Sequence, residues 1–166
     1  MTYSTALRIY PDHVLREQSL PVNEISKSIS TLVDGMVDLM LEHNGIGLAA
    51  PQVGVLKRII VIRDQDALLP LINPEIKQRV DKHQLEEGCL SLPGIEVNVT
   101  RNYSIHVHAL QVSGNPLDMD IEGIPARIIQ HEVDHLNGVL IIDHATTVER
   151  YHLKKQLQQL TRMYQT

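Results

Sequence analysis

Tryptophan and phenylalanine are absent, and the only benzenoid side chains are five tyrosines. Leu, Ile, Val and Met must therefore fill the core. Cysteine occurs once, at Cys89, which excludes an internal disulfide partner and fits a reducing compartment. A lone cysteine is then filler, a nucleophile or a metal ligand. No apolar run approaches the roughly 20 residues of a membrane-spanning helix. The longest, Ile59-Ile60-Val61-Ile62 between Arg58 and Arg63, reads as a strand, so no membrane partner is expected. The N-terminus lacks the basic start and apolar stretch of a secretory signal and is not Arg-rich, so a cytoplasmic location is expected. Positive charge is in deficit: the net charge of −5 argues against a protein devoted to wrapping nucleic acid. Repeats and low-complexity segments are missing too. What remains is ordinary for a globular protein, with 43% hydrophobic and 21% charged residues. A chain of 166 residues fits one domain, 1–166, with a core that needs no staples.

The apolar periodicity predicts a long first helix, capped by Asn23 and carrying Ile25, Ile29, Leu32, Met36 and Met40 on one face, ending near Asn44-Gly45. Gly45 to Gly54 is too glycine-rich for a helix interior. From Lys57 to about Val112 the pattern is strand-like, with Ile76, Gln78 and Val80 on one face of a strand and Ile105, Val107 and Ala109 on one face of another. Asn115-Pro116 marks a turn. A second helix is predicted from about Pro125 to Asn137, with Gly138 as its stop. A short strand, Val139–Ile142, and a last helix from about Thr147 to Tyr164 complete the chain. Helices at the start, middle and end with strands between favour an α+β fold with antiparallel sheet over alternating βαβ units. The expected architecture is antiparallel sheets around a central helix, with N-terminal and C-terminal helices.

That central helix contains His131-Glu132-Val133-Asp134-His135. Residues four apart share a helical face, so both imidazoles can reach one ion, and Glu132 can touch an attacking water without being a ligand. The blander reading is a polar face meeting solvent. Ile128-Ile129 before the motif suggest a buried helix, where such a cluster is costly unless it has work to do. A metal needs a third protein ligand. Gly138 matches the extended HExxHxxGxxH form, but Ile141 stands where the third histidine belongs, and the downstream carboxylates Asp143 and Glu149 are poorly placed. Cys89, in Glu87-Gly88-Cys89-Leu90-Ser91-Leu92-Pro93, is the better candidate. Gly88 lets the backbone approach closely, and a thiolate with two neutral imidazoles leaves a fourth position open, as catalytic sites do.

Three segments occur in order: Gly45-Ile46-Gly47-Leu48-Ala49-Ala50-Pro51-Gln52, Glu87-Gly88-Cys89-Leu90-Ser91 and Gln130-His131-Glu132-Val133-Asp134-His135. With them the chain resembles the peptide deformylases, which remove the N-formyl group from newly made bacterial and organellar proteins. Pro11 to Arg16, Ile72-Asn73-Pro74 and Leu136-Asn137-Gly138 extend the resemblance over nearly the whole chain. The short stretch between Ile62 and Ile72 resembles the compact bacterial type. The resemblance implies one divalent metal on Cys89, His131 and His135, usually Fe²⁺ and replaceable by Ni²⁺, Co²⁺ or Zn²⁺. It implies Glu132 as general base and then acid, and Gln52 with the Leu90 backbone N–H as the oxyanion hole. The formyl-methionine nascent peptide would add as a strand beside Gly47, with Ile46, Gly88 and Ile128 lining its place. Glu87 would be tied to Arg101, fixing the cysteine loop. One departure is Glu96, where many members carry arginine.

Two features stand outside that set. His106 and His108 fall on one strand face, where two histidines could bind metal, although a solvated face is the commoner outcome. The C-terminal segment carries Arg150, Lys154, Lys155 and Arg162 against Glu149 alone, with Leu153, Leu157, Leu160 and Tyr164 as an apolar stripe. The resemblance implies ribosome docking through this helix, with Lys154, Lys155 and Arg162 against RNA.

Overall fold

The protein is described by a computed structural model covering residues 6–164. Its elements run α1 (Lys27–Glu42), β1 (Gly47–Ala49), β2 (Ile59–Asp64), β3 (Ala67–Gly88), β4 (Glu96–Leu110), β5 (Pro116–Glu122), α2 (Gly123–Leu136) and α3 (Thr147–Tyr164). The strands form one antiparallel sheet in the order β1-β2-β3-β4-β5. The α+β class expected from the sequence is thus found, as a single continuous meander in place of separate sheets. The reason is the length of β3 and β4, which pair from Ile72↔Leu110 to Gly88↔Glu96.

The apolar run in β2 is explained by burial on both faces. Ile59 and Val61 join Leu32, Val33 and Met36 of α1 in one cluster. Ile60 and Ile62 join Ile129 and Val133 of α2 in another. Successive strand residues point to opposite faces, so a strand between two helices can afford no polar position. β4 is covered by α2 on one side only, and it alternates: Ile105, Val107 and Ala109 are buried under α2 while His106 and His108 are partly exposed on the outer face. A third cluster holds α3 to the body through Leu153 and Leu160 against Leu92, Ile95, Val97 and Leu140. Each such leucine stabilises the docked helix by about 1.5–3 kcal/mol.

Several sequence expectations are corrected. Asn23 is not the cap of α1; Ser26 is, its carbonyl accepting from Ile29 N (3.0 Å) and Ser30 N (3.2 Å). The Asn73 side chain explains the delay. It accepts from Val22 N (2.8 Å) and donates to Val22 O (2.9 Å), holding the approach to the helix extended. Ile25 still packs on the α1 cluster from outside the helix. Val139–Ile142 is not a strand. The Asp143 carboxylate accepts from Leu140 N at 2.8 Å and closes a 3-10 turn over Ile141–Asp143. Ile76 does not share a face with Gln78 and Val80, because the register shift between Ile76 and Gln78 breaks the alternation, whereas Gln78 and Val80 do share one. β5 was not anticipated; its alternating half-buried and exposed residues give it a weak apolar signal. In α3 the apolar stripe stops at Leu160, and Tyr164 is exposed.

Two expected helix limits hold well. α2 ends with Asn137 as its C-cap and Gly138 at φ +71°. A side chain at Gly138 would also meet the Arg16 backbone carbon at 2.8 Å, so glycine is required twice over. α3 starts at Thr147, after a capping box in which Thr146 N donates to Glu149 (2.8 Å) and Glu149 N to Thr146 Oγ1 (3.2 Å). No helix of the described residues is long and apolar enough to cross a membrane.

Candidate metal centre

α2 runs beneath β1, and this crossing builds the site. His131 and His135 project from one face of the helix, and the loop after β3 brings Cys89 to them. The ligand atoms of these three residues all lie within 4.8 Å of one another, with Cys89 Sγ 3.3 Å from His135 Nε2. The competing downstream ligands are engaged elsewhere. Asp143 is bound to Arg16 and Leu140, and Glu149 caps α3.

The electrostatics favour a cation here. Burial opposes a charge on His131, yet Cys89 and Glu87 pull its pKa up to about 10. His135, by contrast, is driven by burial and by the neighbouring His131 well below the ordinary histidine value, so it stays neutral as a ligand must. Its Nδ1 and the Glu132 Oε2 are buried atoms without a hydrogen-bond partner. Unsatisfied buried groups of this kind are costly, and the Glu132 carboxyl lies in the cavity wall, where the reactants at a bound ion would be. The residues therefore fit a divalent metal.

Behind the ligands lies a layer of ion pairs. Glu87 Oε2 faces His131 Nδ1 at 3.0 Å and accepts from Arg101 at 3.0 Å. Its Oε1 accepts from Arg101 Nε (2.7 Å) and from Arg127 (2.6 Å). Burial alone would raise the Glu87 pKa; the bonds from His131 and Arg101 overcome it and hold the carboxyl at about 2. Arg101 also donates to Asp134 at 2.8 Å, and Asp134 in turn faces His144 Nε2 at 2.8 Å. The Glu87–Arg101 pair was legible in advance. Arg127 was missed: it additionally donates to Val99 O (3.0 Å) and His83 O (2.6 Å), stapling both long strands to α2. A single charge in the apolar run before the histidines, four residues ahead of His131 and on its face, was the available signal.

Beside the ligands opens a cavity of about 490 Å³. Its walls include Ile46, Gly47, Gln52, Gly88, Leu90, Ile128 and Glu132, so every expected catalytic and substrate-binding position reaches one space. Glu132 is buried, and burial lifts its pKa to about 7. The Gln52 carboxamide is fixed in one orientation. Its Oε1 accepts from Ala49 N at 2.8 Å, and its Nε2 donates to Ser91 Oγ at 3.1 Å and points at Cys89 Sγ, 3.8 Å away. Gly47 passes so close to α2 that a Cβ would collide with Glu132 Oε1 and stand 2.7 Å from Ile128 Cγ2. Gly88 is different from its expected role. A Cβ there meets nothing nearer than Ile95 O at 4.0 Å, so no close approach requires glycine at this position, which lines the cavity.

Comparison with known proteins agrees. The polypeptide deformylase family model matches residues 5–151. A peptide deformylase of Thermodesulfovibrio yellowstonii is 42% identical over 155 residues, covering 90% of this chain and 94% of its own. Peptide deformylase 1 of Clostridium perfringens is 49% identical over 140 residues, covering 83% and 95%. Among solved structures, a Legionella pneumophila peptide deformylase superposes with a TM-score of 0.89 at 37% identity, covering 95% of each chain. One from Plasmodium falciparum reaches 0.91 at 39% identity, covering 96% and 97%. A buried HExxH helix joined by one cysteine, within a fold shared along its length with these enzymes, places the chain in the polypeptide deformylase family, metal-dependent hydrolases that remove the N-formyl group from nascent polypeptides.

Proposed function

We propose that Cys89, His131 and His135 hold one divalent cation and that Glu132 is the proton carrier of the deformylation reaction. The observation that carries this reading is the Glu132 carboxyl, buried in the cavity wall with one unpartnered oxygen and a pKa near 7. A group poised there can take a proton and return it at neutral pH. A bound divalent cation supplies Lewis acidity, which makes water nucleophilic near pH 7 and polarises a carbonyl. Glu132 takes the proton of the attacking water as its oxygen bonds to the formyl carbon. The Gln52 Nε2–H and the Leu90 N–H donate to the oxygen that gains charge. Glu132 then passes its proton to the amine nitrogen as the C–N bond breaks, leaving formate and a free N-terminus.

Among the described residues β1 has a sheet neighbour on one side only, which supports capture of the peptide as an added strand along Gly47. Ile46, Gly88 and Ile128 then surround the methionine side chain. A mixed thiolate–imidazole set accepts Fe²⁺, Ni²⁺, Co²⁺ or Zn²⁺; Fe²⁺ is our assignment, supported by the family resemblance. The chain acts as one catalytic domain in a cytoplasmic setting, where its single thiol stays reduced. Lys154, Lys155 and Arg162 are exposed on α3 while Leu153 and Leu160 anchor it, an arrangement suited to ribosomal RNA. The decisive experiment is formate release from formyl-Met peptide by metal-replete protein; no release at any metal loading refutes the reading. Changing Lys154, Lys155 and Arg162 to Glu should weaken ribosome co-sedimentation without altering that activity.

A further inference from the structure

The outer face of the sheet, opposite α2, carries a second collection of metal-binding side chains. Alternation places His106 and His108 side by side there. The antiparallel register sets His108 opposite Asp118 and His106 opposite Asp120 on β5. Asp118 Oδ1 lies 3.0 Å from His108 Nδ1 and 3.5 Å from His106 Nε2, so one carboxylate oxygen is shared by two imidazoles. The other nitrogen of His106, Nδ1, is 2.8 Å from Asp120 Oδ1.

We propose that His106, His108 and Asp118 form a second, surface site for a transition-metal dication of the Zn²⁺ class, with Asp120 as the carboxylate that orients His106. Two imidazoles and one carboxylate select borderline metals over Mg²⁺ or Ca²⁺, which require oxygen. Ligand atoms about 2.0–2.1 Å from a tetrahedral ion stand about 3.3 Å apart, and the two distances to Asp118 Oδ1 bracket that spacing. Asp120 supplies what metal-bound histidines usually have, a carboxylate on the far ring nitrogen that fixes the tautomer and leaves Nε2 for the ion. The competing occupant is a proton: the bond from Asp120 raises the His106 pKa, with Asp118 contributing further. The same negative charge serves either cation.

Only the Cys89 group has every ligand atom within 4.8 Å of every other among the described residues, so the outer set closes by rotation of exposed side chains. The His108 and Asp118 side chains are 41% and 57% exposed, which leaves them room to rotate. Affinity is therefore lower than at the buried centre, and the two sites fill in sequence.

The test starts from protein whose catalytic centre is already saturated with one Zn²⁺ per chain. Further Zn²⁺ is titrated in by calorimetry, and the imidazole resonances are followed by NMR. A second equivalent should bind, shifting the signals of His106 and His108. The H106N/H108N variant should lose the second event while keeping the first ion, its formate release and its circular dichroism spectrum. Asp120→Asn should weaken the second event by about 10–100-fold. A wild-type stoichiometry of one, unshifted His106 and His108 resonances, or a second event unchanged in H106N/H108N would each overturn the proposal.

Discussion

Replacing Gly47 with alanine tests the crossing of β1 over α2 more directly than removing any reactive group. The new methyl would collide with Glu132 Oε1 and lie 2.7 Å from Ile128 Cγ2 and 3.0 Å from Glu132 Cδ. Comfortable carbon–carbon contact is about 3.5–4.0 Å, so the strand or the Glu132 side chain must give by roughly 1 Å. Glu132 is the softer partner, since Ile128 is fixed by its helix and the core beneath it. A displacement of about 1 Å in a reacting group can cost about 10²-fold in rate, and overpacking about 1–3 kcal/mol in stability. For a domain of this size the second figure lowers Tm by roughly 2–12 °C. The three nearest contacts of the methyl involve none of Cys89, His131 and His135, so metal content should hold at one per chain. The assay is kcat/KM on formyl-Met peptide together with elemental analysis and a thermal melt. Gly88→Ala is the control: its Cβ meets only Ile95 O at 4.0 Å, so its melt should stay within about 0.5 kcal/mol of wild type. Wild-type kcat/KM in Gly47→Ala would refute the reasoning, and loss of the ion would show that the ligand set depends on β1 in a way the geometry does not predict.

Cys89→Ala or His135→Ala should lose the ion, whereas Glu132→Gln should keep it and lose nearly all turnover; a Cys89→Ala protein with one tightly bound ion and full activity would break the ligand assignment. The Glu87 pKa is depressed from 4.5 to about 2, so its pairing stabilises the fold fully above about pH 4.5 and that contribution fades as pH falls towards 2. Acid unfolding followed by circular dichroism should therefore steepen across this window, and Glu87→Gln should flatten it. Formyl-Met peptide should be strongly preferred to acetyl-Met peptide, because the attacking water and the Gln52 and Leu90 donors leave little room for an extra methyl; equal kcat/KM values would contradict this. If the bound ion is Fe²⁺, activity should decay in air faster than in a Ni²⁺-loaded sample, and equal half-lives with and without oxygen would point to zinc.

What was readable from sequence alone was local in origin. The HExxH spacing, the Gly138 stop, the α3 limits and the inward face of Ile105, Val107 and Ala109 depend on helix pitch and strand alternation, which neighbouring residues set between themselves. Cys89 became the candidate third ligand because it is the single cysteine and the downstream Ile141, Asp143 and Glu149 fit poorly. The likeness of whole segments strengthened that choice; nothing local ties Cys89 to a histidine pair more than forty residues later. Tertiary structure decided the rest. Asn73, far along the chain, withholds Val22 from α1 and moves its cap from Asn23 to Ser26. Asp143 and Arg16 turn Val139–Ile142 away from a strand. Arg127 meets Glu87 only because α2 lies across β3 and β4. Gly47 is required, and Gly88 is not, because α2 lies within a methyl's reach of Gly47 and nothing lies that close to Gly88. Each of these rests on atoms brought together from distant parts of the chain, and that proximity exists only once the sheet has folded around α2.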